Sequence, residues 1–359
     1  MRRLGLLLLL FIAAIGGFSA WLDHQVSRLY KHYSGSSIFV DIPRGTSRWR
    51  VAEILRDNGV IPNAVAFDLL SRWHYNRSLQ AGEYLFDRAM TERQVFWKIA
   101  GGHIYVHSVQ ITEGWTMFEI ADALEREGLV ANREDFLKVA RDPTPIQDLD
   151  PGAKSLEGFL FPSTYEFTRR ATPQLIADTM VRHFRSVWTS LNPDPANPAA
   201  TTQQIVTIAS LVERETPQSS ERPLVAGVFY NRLSKSYPLQ CDPTVQYALA
   251  LAGRPTQIVR HADLEVNSPY NTYLHAGLPP GPIANPGEAS LRAAISPAKT
   301  DYMYFVANDQ GGHFFSKTLA EHNRNVTRYR KRLENDSSGA GANATPANSS
   351  SPTRHRSPS

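Results

Sequence analysis

Two arginines, Arg2 and Arg3, stand before an almost unbroken apolar run from Leu4 to Leu22, and this run constrains everything that follows it. Its nineteen residues, at about 1.5 Å each, reach about 28 Å, close to the roughly 30 Å hydrocarbon core of a bilayer. A basic pair ahead of the span places residues 1–3 in the cytoplasm and the rest of the chain outside. A cleaved signal peptide is the competing reading, but the best small-residue site ends Phe18-Ser19-Ala20, with a bulky Phe where a small side chain is wanted. The expectation is therefore an uncleaved single-pass anchor over 4–22. A mean hydropathy of −0.33 leaves no room for a polytopic bundle behind it.

Beyond the anchor, 359 residues with 42% hydrophobic and 20% charged side chains can bury a real core, enough for about two domains. The balance of 38 basic and 34 acidic residues is too mild to argue for nucleic acid. The lone cysteine, Cys241, excludes a disulfide framework and any Cys-based zinc or iron–sulfur site. It also suits an oxidising outer compartment, and with no cysteine directly after the apolar run a lipoprotein is excluded. Residues 23–37 read as a polar, patternless stalk. Residues 334–359, rich in Ser, Pro, Ala, Gly and Asn, read as a disordered tail. The folded body is then 38–333.

A repeat shows when the chain is laid on itself with a shift of 69. Ile42-Pro-Arg-Gly45 through Ala52, Leu55 and Gly59 matches Ile111-Thr-Glu-Gly114 through Ala121, Leu124 and Gly128. Each copy predicts a strand, a Gly turn, a Ser47 or Thr116 N-cap, an amphipathic helix and a Gly end. A second helix over Ala64–Trp73, a strand over Ala81–Phe86 and a helix over Thr91–Ala100 follow the first copy. This strand–helix–helix–strand alternation over 38–107 resembles a LysM-like module, a class that binds N-acetylglucosamine-containing glycans. Two small packing units without a ligand would show the same pattern.

Proline-rich loops, Asp142-Pro-Thr-Pro145 and Asn192 to Pro198, punctuate the middle of the chain. Between them Leu156 to Phe167 carries four aromatics and Glu157. It suits the wall of a sugar groove, or equally an apolar strand under a lid.

The densest chemistry lies between Thr201 and Asn325. A helix is predicted from a Thr201/Thr202 cap to Thr216, ending before Pro217, with Glu213-Arg-Glu215 at its C-terminal end. At about 100° per residue the two glutamates lie roughly 160° apart and cannot face one cleft. A carboxyl against an apolar wall has its charged form disfavoured, which is what a general acid needs, and both glutamates have apolar neighbours. Either could instead be a surface glutamate paired with Arg214 or Arg222. A helix over Pro223–Leu233 and loops rich in Pro, Gly, Asn and Tyr come next, a kit for orienting a hydroxylated ligand.

These residues, in this order, are familiar. Ala209-Ser-Leu-Val-Glu-Arg-Glu-Thr216, Asn231-Arg-Leu233, Leu239-Gln-Cys-Asp-Pro-Thr-Val245, Tyr270-Asn-Thr-Tyr273 and Gly277-Leu-Pro-Pro-Gly-Pro-Ile283 stand together with Ser296-Pro-Ala-Lys299, Tyr302-Met-Tyr-Phe305, Gly311-Gly-His-Phe314 and Glu321-His-Asn323. The set resembles the MltG (YceG-like) family of endolytic murein transglycosylases, from the anchor through Leu333. The resemblance implies an α+β fold: an N-terminal transmembrane helix, the LysM-like subdomain over 38–107 and a YceG-like catalytic domain over 108–333. It implies a single-pass inner-membrane protein with a periplasmic catalytic domain and no cofactor or metal. The family's essential glutamate lands on Glu215.

The reaction so implied cleaves the β-1,4 bond between N-acetylmuramic acid and N-acetylglucosamine of nascent peptidoglycan strands without water. It leaves 1,6-anhydro ends and ends strand elongation, beside penicillin-binding synthases. One carboxyl serves as acid and then base, so no second catalytic carboxylate is needed, unlike a hydrolase. Asp242 is read as a loop-fixing or substrate-orienting group. Glu157, Asn231, Gln240, Thr244, Asn271 and Tyr273 are candidates for the substrate groove, or for loop braces. Cys241 before the Asp-Pro and the long polar tail depart from the family pattern. Ser296-Pro-Ala-Lys299 lacks the companion motifs of acyl enzymes, and His103 with His107 lacks a third metal ligand. The alternative is a membrane-anchored, glycan-binding scaffold for cell-wall synthases that needs no Glu215.

Overall fold

The apolar N-terminal run folds as one helix, α1 (Arg2–Ser27), in a computed structural model that describes residues 2–191, 200–308 and 310–342. The proline-rich segment 192–198 and residues 343–359 of the expected tail lie outside the described residues. Leu6, Leu7, Leu9, Leu10, Phe11 and Ile12 are each more than half exposed on α1. Among the described residues this is the one helix long and apolar enough to cross a membrane.

The expected stalk is not patternless. The helix continues past Leu22 to Ser27, Val26 is buried with Leu22 packed beside the same core, and Asp23 pairs with Arg93 at 2.7 Å. Leu29–Tyr30 then pairs antiparallel with Met90–Thr91. The reason is helical periodicity. Leu22 and Val26 are four apart and share a face, an apolar stripe that the polar residues between them hide.

The chain divides into two compact units, one of Met1–Ile111, Ala121–Phe136 and Thr164–Ile176, the other of Thr112–Ile120, Leu137–Ser163 and Ala177–Ser359. The first holds β1 (Leu29–Tyr30), β2 (Ile38–Ile42), α2 (Arg48–Asp57), α3 (Ala64–Trp73), β3 (Gly82–Phe86), β4 (Met90–Thr91), α4 (Glu92–Ala100) and β5 (His107–Gln110). Strands β2 and β3 pair antiparallel, with Ile38 opposite Phe86 and Ile42 opposite Gly82. Val40 and Ile42 point inward onto Val51, Ala52 and Leu55 of α2, Phe67 of α3, and Phe96 and Ile99 of α4. Asn63 caps α3, and a reciprocal Thr91–Gln94 box starts α4, which satisfies amides that a helix start leaves unpaired.

The sequence repeat is a repeat of helix ends. Gly45 and Gly114 take φ of 77° and 79°, and Gly59 and Gly128 take 69° and 67°, conformations that L side chains avoid. Ser47 accepts from the Arg50 N–H at 3.3 Å. Thr116 and Glu119 cap each other at the start of α5 (Met117–Arg126). Ala52, Leu55, Ala121 and Leu124 are all fully buried. Helix α6 (Arg133–Ala140), strand β6 (Thr164–Phe167) and helix α7 (Pro173–Leu191) follow, and β6 pairs antiparallel with β5.

The second unit is built around α8 (Thr202–Glu215), which packs against α9 (Arg222–Ser234), α10 (Asp242–Leu251) and α11 (Glu288–Ile295). Every residue from Ile205 to Val212 is buried, so neighbours surround α8. Each of its aliphatic side chains adds roughly 1.5–3 kcal/mol by leaving water. A Thr201–Gln204 box starts α8, and the extended Thr216 ends it. The hairpin β7 (Tyr304–Ala307) and β8 (His313–Ser316) pairs antiparallel. Helix α12 (Leu319–Ala342) follows and carries the backbone into the segment expected to be disordered.

Two further expectations change. Phe159, Phe161, Tyr165 and Phe167 are all buried, so these aromatics are core and not a groove wall, and only Thr164–Phe167 is strand. Residues 334–342 continue a helix, because the preceding basic, heptad-like stretch carries it on.

Candidate active site

At the end of α8 the two glutamates part company. Glu213 accepts from the Arg222 guanidinium at 2.8 Å and from the Gly287 N–H at 2.9 Å. Its side chain is 5% and that of Arg222 7% exposed, so the pairing with Arg222 exists but inside the protein rather than on its surface. Burial pushes the Glu213 carboxyl up, against the pull of the Gly287 N–H and Arg222. Its work is structural: it ties α8 to α9 and to the loop before α11.

Glu215 faces the opposite way, onto the loop that starts α10. Its Oε1 accepts from the Cys241 thiol at 2.9 Å. Burial raises its pKa, and the Asp242 charge adds to the rise. The Cys241 hydrogen bond and the charges of His313 and Arg232 oppose it. A carboxyl raised in this way keeps its proton more readily than an exposed one, which is the property a general acid needs.

The groups around it are rigidly held. Arg232 donates from Nε to the Met303 carbonyl at 2.7 Å and from Nη1 to the Leu239 carbonyl at 2.6 Å. His313 Nδ1 contacts Glu221 Oε2 at 2.7 Å, and Glu221 also accepts from the His313 N–H at 2.9 Å. Asp242, at the first turn of α10, accepts from the Tyr273 hydroxyl at 2.5 Å.

Most of the other predicted residues brace these loops. Thr244 is fully buried. It donates to the Cys241 carbonyl at 2.6 Å and meets the Thr272 hydroxyl at 2.9 Å. Asn271, equally buried, donates to the Leu264 and Val266 carbonyls and accepts from the Tyr273 N–H. Asn231 donates to the Thr300 and Tyr302 carbonyls at 2.7 and 2.9 Å. Gln240 differs: it is exposed, next to Cys241, and held at a left-handed φ of 47°. Strain of this kind costs about 1–3 kcal/mol and gathers at working sites.

Glu157 is buried, with the Tyr247 hydroxyl of α10 among its hydrogen-bond partners. It accepts from the Met117 N–H at 3.0 Å and from Asn285 Nδ2 at 2.8 Å. Asn285 in turn accepts from the Gly158 and Leu160 amides at 2.9 Å. Burial pushes the Glu157 carboxyl up to about 8, outweighing those donors. Sequence reasoning missed Arg232, His313, Glu221, Thr272 and Asn285 as site-building residues. The Gly311-Gly-His-Phe314 and Ala284-Asn-Pro-Gly287 runs were the available signals. His107, one of the two histidines weighed for metal, contacts Glu83 at 2.7 Å. Among the described residues no cluster of three or more His, Cys, Asp or Glu is placed to hold a metal.

Residues 40–328 match the YceG-like family. The chain belongs to the YceG-like family. It is 36% identical over 312 residues to an endolytic murein transglycosylase of Bacillus subtilis, covering 82% of this chain and 86% of that one. It is 29% identical over 320 residues to an endolytic murein transglycosylase of Streptococcus pneumoniae, a longer relative of which it covers 58%. A crystal structure of a YceG-like protein from Listeria monocytogenes aligns with a TM-score of 0.55 and 36% identity, over 81% of this chain and 99% of that one. The stretch matched to the YceG-like family, residues 40–328, includes α8 and the loops around Glu215.

Proposed function

We propose that this chain is an endolytic peptidoglycan lytic transglycosylase, with Glu215 as its single acid–base group. The likeness to the Bacillus enzyme over most of both chains carries the reaction. The raised pKa of Glu215 beside Cys241, Asp242, His313 and Arg232 supports the residue. Protonated Glu215 gives its proton to the glycosidic oxygen as the bond from muramoyl C1 breaks, and the glucosamine leaves as its free 4-hydroxyl. The carboxylate then takes the proton of the muramoyl C6 hydroxyl as O6 closes on C1. No water enters, and Glu215 ends as it began. Gln240, Asp242 and Tyr273 border the substrate, while Asn231, Thr244, Asn271 and Glu157 act on it through the loops they hold.

The β2-α2-α3-β3 order supports reading 38–107 as a LysM-like unit that holds the glycan, followed along the chain by a catalytic domain over 108–333. Helix α1 supports a single-pass inner-membrane anchor with residues 1–3 cytoplasmic and the catalytic part periplasmic, beside the synthases that make nascent strands. Protease added to spheroplasts then removes the bulk of the chain, and a mature N-terminus near Trp21 would show a cleaved signal instead.

The deciding experiment digests purified glycan strands with the full chain and weighs the ends, since an anhydro end is lighter than a hydrolysed one by one water. Anhydro ends from the wild type and none from Glu215→Gln are expected. Strand binding without any new ends would make the chain a glycan-binding scaffold.

A further inference from the structure

Cys241 is 1% exposed, and its Sγ lies 2.9 Å from Oε1 of Glu215. The backbone that carries the thiol is pinned at both ends. Its N–H donates to the Thr272 hydroxyl at 3.0 Å, and its carbonyl accepts from Thr244 at 2.6 Å. Burial, and then the charge of Glu215, push the thiol pKa well above its ordinary value. The sulfur therefore keeps its proton, and the thiol is the donor.

Four other groups act on the Glu215 carboxyl, from the elements around it. Asp242 stands on α10, Arg232 on α9, His313 on β8 and Tyr273 in the loop after Asn271. Each has hydrogen-bond work elsewhere: Asp242 with Tyr273, Arg232 with the Met303 and Leu239 carbonyls, His313 with Glu221. The thiol spends its proton on Glu215 itself. A thiol is a weak donor, so it orients a carboxyl while favouring the ionised form less than a hydroxyl would.

We infer that Cys241 is a positioning residue of the transglycosylase reaction: its thiol holds Oε1 of Glu215 and leaves Oε2 to give and retake the proton. The inference rests on the reading of Glu215 as the acid. It accounts for a buried thiol where a hydroxyl would fit.

The test is the pH profile of anhydro-end release by the full chain, for wild type, Cys241→Ser and Cys241→Ala, with melting temperatures measured alongside. Activity needs Glu215 protonated at the start, so the alkaline limb follows its pKa. Serine, the stronger donor, stabilises the carboxylate and moves that limb to lower pH by on the order of one unit. Alanine removes the donor, moves the limb to higher pH, and lowers kcat about tenfold by freeing the carboxyl plane. Opposite shifts at unchanged melting temperature support the role. Limbs that overlay wild type, or shift together, overturn it, since a merely structural cysteine would change melting without moving the profile. If alanine melts early, the serine limb alone decides, by moving down or staying. Absence of anhydro ends from wild type would instead bring down the reaction itself, and an active Glu215→Gln the choice of acid.

Discussion

Glu213 and Glu215 stand two positions apart on one helix and share no partner: Arg222 and the Gly287 N–H hold the first, the Cys241 thiol the second. One glutamate is committed to the fold, and the other has, among the described residues, an oxygen that no hydrogen bond holds.

The pair should separate cleanly under mutation. Glu215→Gln is expected to lower glycan cleavage by about 10⁴-fold or more, because Gln keeps the shape but cannot give and retake a proton, while melting stays as in wild type. Glu213→Gln leaves Arg222 buried with, among the described residues, the more distant Glu113 at 3.6 Å as its ionic partner. Breaking a buried pair costs about 3–5 kcal/mol, so melting should fall while turnover persists below it. Calorimetry with end-release assays on both variants checks this, and the reverse pattern would put the acid on the wrong face of α8.

Stability should depend on pH through Glu157. Its pKa rises from 4.5 to about 8 on folding, so its contribution is fully present below the unfolded value and is lost as pH rises through about 8. Melting temperature is expected to decline across that window. Glu92, pushed from 4.5 to about 7 by burial, adds a similar slope within the first unit. Glu157→Gln, which stays neutral, should flatten the decline in part. An unchanged slope in that variant would show that Glu157 is already ionised at neutral pH.

Gln240 separates strain from function. Glycine accepts a φ of 47° without the penalty that an L side chain meets there, so Gln240→Gly should be as stable as wild type to within about 1 kcal/mol. If the exposed amide meets the glycan, KM should rise several-fold at the same time. Unchanged KM would make Gln240 a spectator.

The two matched glycines should respond unequally to alanine. Both hold positive φ, near 69° at Gly59 and 67° at Gly128, which costs about 1–2 kcal/mol for an L residue. A Cβ at Gly59 would also sit 2.4 Å from the His32 carbonyl oxygen, whereas nothing lies within 4 Å of one at Gly128. Gly59→Ala is expected to destabilise clearly more, as denaturant melts of both variants would show. Equal losses would mean that the His32 segment yields freely.

Local structure was legible because its determinants are local. Caps, turns and amphipathic faces are decided by residues three or four apart, so the helix over Ala64–Trp73, the Thr201 cap and the repeated Gly ends could be read directly. The stalk misread the same signal, since only packing against the first unit's core reveals that Leu22 and Val26 form a face.

By itself the sequence determined the apolar N-terminal helix, the α+β alternation, the repeat and the divergence of Glu213 from Glu215, all of which follow from residue type and helical period. Tertiary structure alone decided which groups meet. Cys241 reaches Glu215 across 26 positions, His313 reaches Glu221 across 92 and Asn285 reaches Glu157 across 128. No periodicity encodes such meetings, because they depend on how whole helices pack around α8. Whether a polar side chain faces a cleft or a neighbouring carbonyl is likewise set by burial. Asn231, Thr244 and Asn271 look in sequence like ligands for a sugar and in the fold spend their hydrogen bonds on the loops beside Glu215.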